Sequence, residues 1–70
     1  MSSIQLLQDK YPNIIDIIPA METAKNPEKI LGFYTLKIEQ KKDKNSLEQW
    51  IEYLANKSGI QAVLAINKLK

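Results

Sequence analysis

The chain has no cysteine, no histidine and no arginine among its 70 residues. Without cysteine there is no disulfide to staple a small domain and no thiolate to act as nucleophile or metal ligand. Without histidine the side chain that titrates nearest neutral pH, and the commonest metal ligand, is missing. Without arginine there is no planar fork to grip phosphate or carboxylate through two hydrogen bonds at once. Glycine is scarce too: Gly32 and Gly59 are the only two, which argues against a phosphate-cradling loop and against a flexible linker. No apolar run approaches the roughly 18 residues of a membrane-spanning helix. The opening Met1-Ser2-Ser3-Ile4-Gln5 lacks the basic stretch followed by an apolar one that marks a signal peptide. These absences lead us to expect a cytoplasmic protein with no cofactor, no metal, no small-molecule substrate and no membrane partner.

What is present suits one small domain spanning residues 1–70. Hydrophobic residues make up 44% and charged residues 26%, enough for a core and a solvated surface. The net charge is +2, and every cation is a lysine. That balance is too slight to imply nucleic acid or an anionic membrane. The basic bias sits mid-chain, where residues 27–46 hold five lysines against three acids.

Periodicity points to helices throughout. Ser2 or Ser3 can cap a first helix carrying Ile4, Leu7 and Tyr11, which Pro12 closes. With Asp16 as the cap, Pro19 falls in the first turn of a second helix running to about Lys25. Asn26-Pro27-Glu28 is a strong start signal for a helix to about Lys41, with Ile30, Leu31, Tyr34 and Ile38 on its apolar face. Residues 39–45 read as a solvated connection. Ser46 and Gln49 then form a capping box, followed by Leu47, Trp50, Ile51 and Leu54 at helical spacing. Ser58 and Gln61 repeat the box, with Ile60, Val63, Leu64 and Leu69 lining a last helix. The expected fold is therefore all-α, a bundle of four or five short helices. The competing reading is α+β, with strands near 31–38 and 60–67, because Phe33, Tyr34 and Thr35 favour strands and Ile60, Ala62, Leu64 and Ile66 alternate.

No arrangement of residues suggests catalysis. Glu48 and Glu52 share a helix face, but nothing near them would desolvate one and raise its pKa for general acid work. Asp9, Asp16 and Glu22 lack the spacing of a calcium loop. Tyr11, Tyr34 and Tyr53 have no visible activating partner, and Ser58 has neither an elbow motif nor a histidine base. The lysines at 37, 41, 42 and 44 read as a solvated helix end. The chain is expected not to be an enzyme.

Phe33 and Leu36 stand off the apolar stripe of their helix, so a second side of that helix is apolar. Trp50 is either a core anchor or an exposed hot spot. These three residues are the candidate partner-binding positions, and the expected function is a small adaptor, inhibitor or regulator. It would work by binding a protein partner or by self-association.

The segment Leu54-Ala55-Asn56-Lys57-Ser58-Gly59-Ile60 resembles the turn of helix-turn-helix DNA-binding proteins. It has a small residue at 55 to pack between helices, Gly59 in the turn and an aliphatic residue at 60. It departs from that pattern at Ser58 and Ala65, where larger apolar residues are usual. The resemblance implies a recognition helix over 60–69, with Gln61, Asn67, Lys68 and Lys70 as DNA contacts.

Overall fold

A computed structural model describes residues 3–57 and 59–70, and among them there are five α-helices and no strand. Helix α1 (Ser3–Lys10) leads into a short 3-10 turn at Pro12–Ile14, then α2 (Ile17–Thr23), α3 (Pro27–Lys41), α4 (Lys44–Ala55) and α5 (Ile60–Leu69). The all-α reading is therefore the correct one. The suggested caps at Ser2 and Ser58 lie outside the described residues.

The strand-favouring residues of 31–38 are helical because tertiary packing overrides their propensity. Leu31, Thr35 and Ile38, at i, i+4 and i+7, are all buried on one side of α3. Thr35 finds a helical use for its hydroxyl, which donates to the Leu31 carbonyl at 2.8 Å and accepts from Trp50 Nε1 at 2.9 Å. In 60–67 a helical spacing of three, Ala62 to Ala65, wins over the alternation.

Helix boundaries follow local chemistry, with two corrections. Asn26 stands at the cap position of α3, but its side chain makes no capping bond; its carbonyl accepts from the Lys29 N–H at 3.1 Å, and Pro27 presets the first turn. Helix α4 begins before the expected Ser46. Asp43 is its cap: the carboxylate accepts from the Asn45 N–H at 3.1 Å and the Ser46 hydroxyl at 2.7 Å. A charged acceptor outcompetes a hydroxyl for helix N–H groups, so the helix gains nearly a turn. Those hydrogen bonds, the Ser46 hydroxyl foremost, hold the Asp43 carboxyl below its ordinary pKa. The α3–α4 connection shrinks to Lys42 and Asp43, with Lys42 left-handed at φ 54° and ψ 33°. Gln49 is freed from the box and ties α4 to the first turn, accepting from the Asn13 N–H at 2.8 Å and donating to Asn13 Oδ1 at 3.3 Å.

The core gathers around Trp50, with Tyr11, Ile14, Ile18, Ile38 and Leu54. Trp50 stacks on Tyr53 at 5.6 Å between ring centroids, and Tyr53 meets the edge of Tyr11 at 5.8 Å. Helices α3 and α5 run side by side in the same direction. Glu28 abuts Gly59, Gly32 and Gln61 line one hollow, Thr35 and Ala65 line the next, and Glu39 pairs with Lys68 at 3.4 Å. The partners lie about thirty residues apart at every step, which only parallel helices allow.

Candidate interaction surface

Helix α5 is turned differently from the sequence expectation. Ile60, Val63 and Leu64, expected to line its inner face, are 74%, 56% and 55% exposed. The buried positions are Ala62 and Ala65, with Ile66 and Leu69 half-buried beside them. The physical reason is distance. Small side chains let α5 approach both α3 and α4 closely, and the large residues are then left on the outside.

The neighbouring face of α3 carries Phe33 and Leu36, 56% and 50% exposed. Both expected partner-binding positions on α3 are thus at the surface. Trp50 is not: it is 0% exposed and hydrogen-bonded to Thr35. It anchors the core and offers nothing to a partner, which corrects its inclusion among surface candidates. Sequence reasoning missed Ile60, Val63 and Leu64. The signal was the two alanines, whose small size on an otherwise apolar helix marks the close-packed side.

Between α3 and α5 runs a shallow groove. A hollow of about 160 Å³ is bounded by Leu31, Gly32, Thr35, Leu64 and Ala65. It adjoins a second hollow at Gly32 and Gln61, which extends to Asn26 and Lys29. Gly32 is exposed, and no heavy atom stands within 4 Å of the place its Cβ would occupy. Gly59 differs. At φ 134° it holds a backbone conformation that suits glycine alone, and a Cβ there would strike the Glu28 carboxylate.

The candidate DNA contacts divide between two sides of α5. Gln61 and Lys68 line the groove against α3, and Lys68 is paired with Glu39. Asn67 shares the outer face with Ile60 and Leu64, seven and three residues away, and Lys70 closes the helix with its N–H on the Ile66 carbonyl. Ala55 is exposed, so it is not the small residue packed between helices that the turn resemblance requires. Of the mid-chain lysines, Lys37 lies over the Phe33 ring at 5.0 Å and Lys44 pairs with Glu48 at 3.9 Å, while Lys42 and Lys44 line one hollow with Lys68, Glu39 and Asp43.

One cluster of titratable groups is partly buried. The Tyr53 hydroxyl donates to Glu22 Oε2 at 2.5 Å, and the Lys57 ammonium pairs with the same oxygen. Burial pushes the Glu22 carboxyl up, but the hydrogen bonds from Lys57 and Tyr53 outweigh it and the net shift is down. Burial, then Glu22 itself, drives the Tyr53 phenol far above its ordinary value. With every member bonded to another, the cluster is a latch between α2 and α4. Among the described residues no group of histidine, cysteine or acidic side chains is arranged to hold a metal ion, and no helix is long and apolar enough to cross a membrane.

Comparison with known proteins gives no match: no family model fits the chain, and no curated protein or solved structure is significantly similar to it.

Proposed function

We propose that this is a non-enzymatic interaction protein, an adaptor, inhibitor or regulator working in the cytoplasm, which binds a protein partner through the outer faces of α3 and α5. The observation that carries the reading is the set of five large apolar side chains, Phe33, Leu36, Ile60, Val63 and Leu64, each half-exposed or more. Clustered apolar side chains at the surface commonly mark a contact site for another protein. The lack of cysteine, histidine and arginine and the mutual bonding of Glu22, Tyr53 and Lys57 support a role without chemistry.

DNA binding through 60–69 has less behind it. An α-helix entering the major groove presents polar side chains to base edges, whereas the outer face of α5 presents Ile60, Val63 and Leu64.

The test is affinity capture on the tagged chain from its host's lysate, with and without nuclease, repeated with Phe33→Ser and Leu36→Ser. A defined protein that survives nuclease and is lost with either variant, while both variants melt like the wild type, is the expected result. Unfolding of the variants, or loss of all partners on digestion, would overturn the proposal.

A further inference from the structure

We draw no further inference here: the strongest candidate, the hollow where the ends of α3 and α5 meet the start of α4, has an apolar wall of Ile38, Leu47 and Leu69 but charges of both signs at its rim, with Lys68 paired to Glu39 and Lys44 to Glu48, so nothing in the structure shows what covers it.

Discussion

At the scale of single residues, the polar atoms inside this core are matched. Thr35 is the clearest case, since its one hydroxyl serves both its own helix and the indole of Trp50. Thr35→Val keeps the shape and leaves the Trp50 N–H buried without an acceptor. Chemical denaturation should show a loss of about 1–3 kcal/mol, and Trp50 fluorescence gives a direct readout. Glu22 governs a pH dependence. Its carboxyl titrates lower in the folded chain than the 4.5 of a free glutamate, so the unfolded state takes up the proton first. The stability it contributes is complete above about pH 4.5 and drains away as the pH falls through the folded value. Unfolding of the wild type and of Glu22→Gln across this range should converge at low pH and separate at neutral pH by about 1–2 kcal/mol. Neither partnership was legible in the sequence. Thr35 and Trp50 are fifteen residues apart and Glu22 and Tyr53 thirty-one, and no local pattern links them.

Among the elements, those with strong local signals were legible. The starts of α2 and α3 fall where the sequence placed them, with Pro19 and Pro27 in their first turns, although neither Asp16 nor Asn26 makes a side-chain capping bond. The start of α4 was displaced because two caps, Asp43 and Ser46, compete within three residues, and the charged one wins and takes the buried Ser46 hydroxyl as a donor. Lys42 holds a left-handed conformation that costs a residue with a side chain about 1 kcal/mol. Lys42→Gly should therefore raise the unfolding free energy by about that amount in urea titrations. The orientation of α5 was the larger miss. Its apolar residues outnumber the inward positions, so periodicity alone allows more than one rotation about the axis. The choice is made by how near α3 and α4 can come, which depends on Ala62 and Ala65 and not on hydrophobicity.

For the molecule as a whole, three helices share one consequence. Helix α4 supplies Trp50, Tyr53 and Leu54 to the core, while α3 and α5 lie parallel and keep large apolar side chains for the outside. Phe33 and Leu36 were readable as a second apolar side of α3, since they fall off the stripe that must face inward. The half of the surface contributed by α5 was hidden by the same ambiguity that obscured its rotation. The apolar surface depends on this inversion of α5, small residues inward and large ones outward. The most direct measurement is urea unfolding of Leu64→Ser beside Ala62→Leu. Removing the large exposed side chain should cost about 0.5 kcal/mol or less, and enlarging the buried small one should cost about 1–3 kcal/mol. The opposite order, with Leu64→Ser strongly destabilising and Ala62→Leu tolerated, would place Leu64 in the core and remove the surface on which the proposed function rests.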